Sequence, residues 1–445
     1  MIGEPHADDP ASDVPAARGF ASVVSRLAAV NGLAIVAALV SGPILARALG
    51  AEGRGELAAI VVVLTIAPWL LDLGLAHWVA RERAMGRPRD EILGTVLPVA
   101  FVCSLVAVVA AVPLSHVLGG DREVVVVFLQ VGFFLTPIGV VLFTLSGLVV
   151  GESRWDLLAA GRIIATVAPV LVLVALSLLD VLTVASAAAT LLGGVLLSSM
   201  LPLILLRGVR RLPFSLRRAR TAASFGVKSW LTSISVTANI RIDQVLMAGL
   251  VSSRELGLYA VAVSIASLTS GLIMAVSHAL YPRVARGDGD LTARSCRVAI
   301  AIVAAAGLVL ATAASWAIPF VFGDEFRDAV TMVLILLVAS VPLSAAAILA
   351  SGLTAAGDPA APMRAELAAV AVTIPALIVF LPAYGGVGAA VISFVAYGVR
   401  FGMLLRSASR RFERSLMSFV LPTRADATWL ARQLRRLARR DEATG

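Results

Sequence analysis

GELAAIVVVLTIAPWLLDLGLAHWVAR, residues 55 to 81, and GLYAVAVSIASLTSGLIMAVSHALYPR, residues 257 to 283, are the two stretches that set the architecture. Each opens on a glycine-led tetrapeptide, Gly55-Glu56-Leu57-Ala58 and Gly257-Leu258-Tyr259-Ala260, crosses the same length of mostly apolar chain and ends on an arginine, Arg81 and Arg283. A second pair keeps nearly the same offset: Ser146-Gly147-Leu148 with Gly151, and Ser351-Gly352-Leu353 with Gly357. A shared bias toward alanine and valine does not put glycines and arginines in register, so the chain reads as a duplication. In a polytopic membrane protein, duplication predicts two lobes with a substrate path between them.

With 59% hydrophobic and 15% charged residues over 445 positions, the chain lacks the polar surface of a soluble domain. Its apolar runs are too long and too uniform for barrel strands, which leaves helices. Twelve spans are expected, centred near residues 37, 68, 103, 137, 168, 194, 238, 268, 310, 342, 373 and 397. The acidic start, with Glu4, Asp8, Asp9 and Asp13, is unlike a secretory signal, so the first run is expected to remain in the mature protein. No disulfide is expected, since Cys103 falls in an apolar run and Cys296 in a basic loop.

Charge sets the direction. The even-numbered loops and the two ends hold 28 of the 37 Lys and Arg, against five in the odd-numbered loops and four inside spans. Both termini are therefore expected in the cytoplasm of a cell bounded by this membrane, with the protein in the cytoplasmic (inner) membrane. Six spans per half make the halves parallel repeats about a pseudo-twofold axis along the membrane normal. The expected division is an N-terminal six-helix lobe over 1–206, a basic linker over 207–223, a C-terminal six-helix lobe over 224–408 and a basic tail over 409–445. In that tail Trp429, Leu430, Leu434 and Leu437 share one helical side, with arginines over most of the rest. This pattern suits an amphipathic helix on the anionic inner leaflet, or a docking site for glycan-assembly proteins.

Ala46-Arg47-Ala48-Leu49-Gly50, then Gly55-Glu56-Leu57 and Asp72-Leu73-Gly74-Leu75, resemble the opening two spans of bacterial polysaccharide flippases. These belong to the multidrug, oligosaccharidyl-lipid and polysaccharide exporter superfamily. Matches continue in order through Arg241-Ile242-Asp243-Gln244, Glu255-Leu256-Gly257-Leu258-Tyr259-Ala260, Tyr281-Pro282-Arg283, Phe322-Gly323, Gly352-Leu353 and Tyr384-Gly385-Gly386-Val387-Gly388. The resemblance implies two six-helix lobes around a cavity that opens alternately to either side. It also implies a cargo of polyprenyl-pyrophosphate-linked oligosaccharide moved from the inner to the outer leaflet, with no cofactor. Members that flip the peptidoglycan precursor typically carry two more helices, which are not seen here.

Such a cargo brings a pyrophosphate through the bilayer core, where an unsheathed charge is very unfavourable, so fixed positive groups and water are needed along the path. Arg162, Lys228, Arg241 and Arg400 fall inside spans. Arg241 lies nearest a span's midpoint and is the leading candidate for phosphate, because a guanidinium grips phosphate oxygens bidentately and keeps its charge. Arg162 and Lys228 are within reach of a headgroup layer and either snorkel or bind substrate. Asn31 and Asn239 could meet sugar hydroxyls or bond between helices. Asp72 and Asp243 are the two buried acids expected, as counter-charges or as ion-coupling groups; Arg241 and Asp243 are two apart and cannot pair with each other on a helix. Asp72 is expected to pair with an arginine or to titrate.

Two rivals remain from the sequence. An ion-coupled multidrug or metabolite exporter would want acids dominating the cavity, against four basic and two acidic groups counted here. A membrane-embedded glycan polymerase or glycosyltransferase would want clustered carboxylates or histidines on large loops, and the loops here are short. No catalytic residues, no metal-ligand spacing and no nucleic-acid partner are indicated, and no nucleotide-phosphate cradle is present.

Overall fold

The computed structural model describes residues 14–209, 211–269, 290–421 and 426, with the side chains of 14–31 and 231–240 left out. The described chain is helical throughout, with no strand among the described residues. Eight helices are long and apolar enough to cross a membrane, and two of these are each a pair of crossings. Val14–Leu71 leaves helical geometry at Gly50 (φ 67°, ψ −178°) and Ala360–Arg411 does so at Gly385 (φ 51°, ψ −140°). Side chains are excluded from that backbone region, so glycine is required at both turns.

Spans one and two are thus residues 14–49 and 51–71, span two continuing as Leu75–Ala84 after a break. Spans three to six are Arg89–Gly119, Glu123–Gly151, Trp155–Leu178 and Val184–Ser199. Span seven is Leu216–Leu250, which begins inside the stretch read as a linker, and span eight starts as Ser253–Ser267. Spans nine and ten are Asp290–Phe322 and Ala329–Ala355, and residues 360–384 and 386–411 supply the last two. The result is the all-helical, twelve-span, two-lobe membrane architecture expected.

Three packing clusters show how the lobes meet. Near the ends of the spans away from the arginine-rich loops, one core runs through both halves, joining Leu57 and Ile60 of span two to Leu256 and Tyr259 of span eight and Leu337 of span ten. Toward the arginine-rich face the apolar packing divides. Leu75, Trp78, Leu93, Leu145 and Leu148 of the first half form one cluster, which takes in Ala222 of span seven, and Cys296, Val303, Leu349, Leu404 and Phe419 form another in the second half. Among the described residues the lobes share a core at one face, while at the other the two clusters are distinct and only span seven reaches across.

Several expectations need correcting. Cys296 is not in a loop but fully buried inside span nine, which begins at Asp290. Asp72 has no arginine partner among the described residues: its carboxylate accepts from Thr144 Oγ1 of span four at 2.5 Å and from the Ala76 amide at 3.0 Å. It restarts the helix beyond the break at residues 72–74, as a capping carboxylate does. Asp72 and Asp243 are not the only buried acids: Glu82 in the continuation of span two, Glu366 of span eleven and Asp426 beyond span twelve are buried as well. Past span twelve the chain folds back beneath the second lobe: Phe419 is buried, and Asp426 takes a bidentate bond from Arg297 at 2.7 and 2.8 Å. The amphipathic stretch read at Trp429 to Arg440 lies outside the described residues.

Candidate functional site

The seam between the lobes is the natural place for a transported molecule. At the face away from the arginine-rich loops it is shut by backbone. A methyl group on Gly55 would sit 1.7 Å from the Ser253 carbonyl oxygen, and one on Gly257 would sit 1.9 Å from that of Ala51. The two copies of the repeated motif are therefore pressed against each other, and their leading glycines allow it. Polar bonds add to this closure. Arg47 donates to the carbonyls of Phe320 and Val321 at the end of span nine. The Ala51 amide, freed by the turn at Gly50, donates to Glu325 at 3.1 Å. Arg122 donates to the carbonyl of Ala248 and to Ser253 Oγ. A cleft of about 670 Å³ opens beside this closure, lined by Ile44 and Arg47 of span one, Asp180 and Phe320 among others.

At the arginine-rich face the described joins between halves come from span seven. Gly226 packs on Gly74, Trp230 Nε1 donates to the Leu70 carbonyl at 2.8 Å, Arg218 pairs with Glu91, and the Arg81 guanidinium lies 5.2 Å above the Phe225 ring. Within the first lobe Arg89 and Arg83 clamp Glu152 at the end of span four, at 2.6 and 2.7 Å. These bonds hold the Glu152 carboxyl below the usual carboxylate range. The basic loops thus also tie helix ends together.

The candidate residues occupy different surroundings. Arg241 is exposed nine residues before the end of span seven at Leu250, nearer that end than the midpoint expected, and no hydrogen bond or ion pair joins it to another described residue. Two positions on, Asp243 is buried and accepts from the Tyr259 hydroxyl of span eight at 2.5 Å; that hydroxyl is also 3.3 Å from Ser393 Oγ of span twelve. The different partner demanded for Asp243 is therefore a tyrosine of its own lobe. Arg162 and Lys228 are both exposed. Arg400 is turned into the second lobe, 2.7 Å from Glu366, with 11% and 4% of the two side chains exposed. The side chains of Asn31 and Asn239 lie outside those described.

A model of the polysaccharide biosynthesis protein family matches residues 22–287, more than half of the chain. The chain belongs to that family. No curated protein matches it. Among solved structures, the family member is similar to the lipid II flippase MurJ in an inward closed conformation, at 12% identity and TM-score 0.72, with 88% of this chain and 89% of that chain covered. It is also similar to an inward-facing multidrug resistance MATE transporter of the MOP superfamily, at 15% identity and TM-score 0.66, with 86% and 96% covered. The MATE multidrug transporter DinF-BH follows at 16% identity and TM-score 0.57, with 90% and 97% covered. At such identities these matches establish the fold. The chain is thus a polysaccharide biosynthesis protein with a fold similar to those of the MurJ flippase and the MATE transporters.

Sequence reading of this family member missed Glu366, because a single acid five residues after Ala361 looks like the polar end of a span, and only packing puts it beside Arg400. It also missed Tyr259, whose hydroxyl donates to Asp243, and Ser393, whose hydroxyl meets that of Tyr259, since hydropathy does not register either group. One signal was present: Tyr259 is the polar member of the repeated Gly-Leu-Tyr-Ala motif. The Arg400–Glu366 pair yields a first prediction. Removing one partner of a buried pair strands a charge at a cost of about 3–5 kcal/mol, whereas replacing both by apolar groups is near neutral. Glu366→Leu alone is expected to lower the thermal midpoint in detergent markedly, and Arg400→Leu with Glu366→Leu to restore most of the loss. Equal midpoints for single and double variants would show that the two side chains do not depend on each other.

Proposed function

We propose that this protein is a flippase that translocates polyprenyl-pyrophosphate-linked oligosaccharide from the inner to the outer leaflet of the cytoplasmic membrane by alternating access, in cell-surface polysaccharide biosynthesis. The observation that carries the reading is the asymmetry of the seam among the described residues: one core running through both halves at one face, and at the other two clusters, the first of which reaches the second half only through span seven. Two lobes that share one large core near one face, and that among the described residues are held at the other face by span seven, can rock about the shared core, and rocking exposes a central site to each side in turn.

In this reading the arginine-rich face is cytoplasmic and both termini lie there, as the charge bias favours. The lobes correspond to residues 1–206 and 224–408, joined through 207–223, with 409–445 as a cytoplasmic tail. Arg241 offers its guanidinium to the pyrophosphate, since it is exposed and no carboxylate among the described residues is bound to it, and phosphate supplies an acceptor. Arg162 and Lys228, exposed nearer the cytoplasmic ends of their helices, draw the headgroup in, and Asn31 and Asn239 meet sugar hydroxyls. Arg400 serves less directly, through its hold on Glu366. Asp72 is a helix-restarting counter-charge, and Asp243, buried under Tyr259, is the ion-coupling group. The partners are the lipid-linked glycan, membrane lipids and glycan-assembly proteins.

The deciding experiment is depletion of the protein followed by analysis of membrane lipids. Accumulation of a polyprenyl-pyrophosphate-linked glycan on the inner leaflet is the expected result. Retention of a small organic cation, with the lipid-linked glycans distributed normally, would replace the flippase by an exporter.

A further inference from the structure

Five arginines belong to the face opposite the arginine-rich loops: Arg47, Arg54, Arg122, Arg254 and Arg327. Four are engaged. Arg47 holds carbonyls of span nine, Arg122 holds Ala248 and Ser253, Arg254 pairs with Asp328 at 2.7 Å and Arg327 with Asp324 at 2.9 Å. Arg54 makes no hydrogen bond or ion pair with any described residue, and its Nε is shut off from water without an acceptor. No carboxylate among the described residues stands near enough to act on it, although the sequence flanks it with Glu52 and Glu56. Residues two apart on a helix face different ways, and Glu56 is instead drawn toward Arg122. Arg54 is half-buried, and a guanidinium nitrogen shut off from water without an acceptor is costly, a cost that an anionic ligand would relieve.

Its position is specific. A Cβ on Gly53 would touch Val184 of span six at 3.1 Å, while one on Gly55 would strike Ser253 at the start of span eight. Arg54 lies between these two directions, on the edge of span two that borders the seam. Along the same helical row follow Ala58, Val61 and Thr65, at steps of three and four residues. Ala58 is buried, Val61 half-buried and Thr65 exposed. The row is closed in at the outer end, beneath the interlocked glycines, and opens toward the bilayer's middle. At its closed end the only fixed charge it carries is the unsatisfied guanidinium. The turn at Gly50 also starts a new helix four residues before Arg54, which adds the positive end of that helix to the same place.

We propose that Arg54 is an anion-binding station for a pyrophosphate group at the outer end of the path, distinct from Arg241 of span seven. This rests on the flippase reading for its cargo, but the binding itself does not. Two stations explain how one headgroup can be held in both halves of a cycle: Arg241 in the second lobe receives it, and Arg54 in the first lobe takes it as the seam parts. Arginine is suited to such a hand-over because its planar fork engages two phosphate oxygens at once and never loses its proton.

The test has two arms on the full-length protein and its Arg54→Gln and Arg54→Lys variants. In detergent at fixed ionic strength, inorganic pyrophosphate is expected to raise the thermal midpoint of the wild type above that in matched sulfate; Arg54→Gln should lose this shift, and Arg54→Lys should keep part of it. In cells, Arg54→Gln is expected to reduce outward movement of the lipid-linked glycan at least about tenfold, the effect of losing one charge-assisted contact of about 1.4 kcal/mol or more. An Arg54→Gln protein that keeps both the pyrophosphate shift and wild-type glycan export overturns the assignment and leaves the flippase reading standing. Pyrophosphate protection that depends on Arg54, in a protein whose depletion leaves lipid-linked glycans undisturbed, sinks the flippase reading and keeps the site.

Discussion

Arg241→Ala is expected to cut outward movement of the lipid-linked glycan by about 100-fold or more while leaving membrane insertion and expression unchanged. Truncating one partner of a desolvated, hydrogen-bonded charge pair costs about 2–5 kcal/mol, and each 1.4 kcal/mol is a factor of ten. Stability is spared for a particular reason: Arg241 bonds to no described side chain, and Asp243 nearby keeps its Tyr259 and Gln244 partners in the variant. Arg241→Lys keeps the charge but not the bidentate fork, so its loss is expected to be intermediate. The measurement is the rate at which labelled lipid-linked glycan becomes accessible outside spheroplasts, beside a quantified membrane fraction of each variant. Wild-type rates in Arg241→Ala would take this residue out of the transport path.

Gly55→Ala and Gly257→Ala come next in size of effect. A single added carbon would lie 1.7 Å from the Ser253 carbonyl oxygen in one and 1.9 Å from that of Ala51 in the other, in each case against backbone that has no rotamer to escape into. Ordinary overpacking costs about 1–3 kcal/mol, and here the strain is confined to the state in which the outer seam is shut. The seam is therefore expected to spend most of its time parted, with export reduced about tenfold or more. A cysteine placed at Ala51, buried in the closed seam, reports the change: an impermeant thiol reagent should label it from outside in Gly55→Ala and not in the otherwise wild-type protein. Full export with an unlabelled Ala51→Cys would mean that the seam yields without opening.

Much of this molecule was legible before folding. The twelve crossings follow from runs of about twenty apolar residues, a local property that needs no partner. The repeated Gly55 and Gly257 motifs announced two halves, and the closeness of their approach explains why glycine, not alanine, leads each copy. The side-chain network was much less legible. Asp72 looked like a counter-charge seeking an arginine, yet a break in its own helix supplies the amide it binds and span four supplies Thr144. Arg400 looked like a substrate contact until Glu366 was found at 2.7 Å. Arg54 drew no notice, because in sequence it sits between two glutamates of opposite charge.

Hydropathy and spacing dictate that the chain is helical and that it crosses the membrane twelve times in two related halves, and the resemblance of its short motifs points to its family. Each of these is written along the chain and needs no knowledge of what packs where. Folding was required to settle which charges are matched, where the seam carries a shared core and which arginines lack an acceptor among the described residues. Those outcomes depend on contacts between residues far apart in the chain, such as Asp72 with Thr144 or Gly55 with Ser253. In a medium that cannot solvate a stray charge, the energy of such a residue is set by what packs beside it and not by its neighbours in sequence.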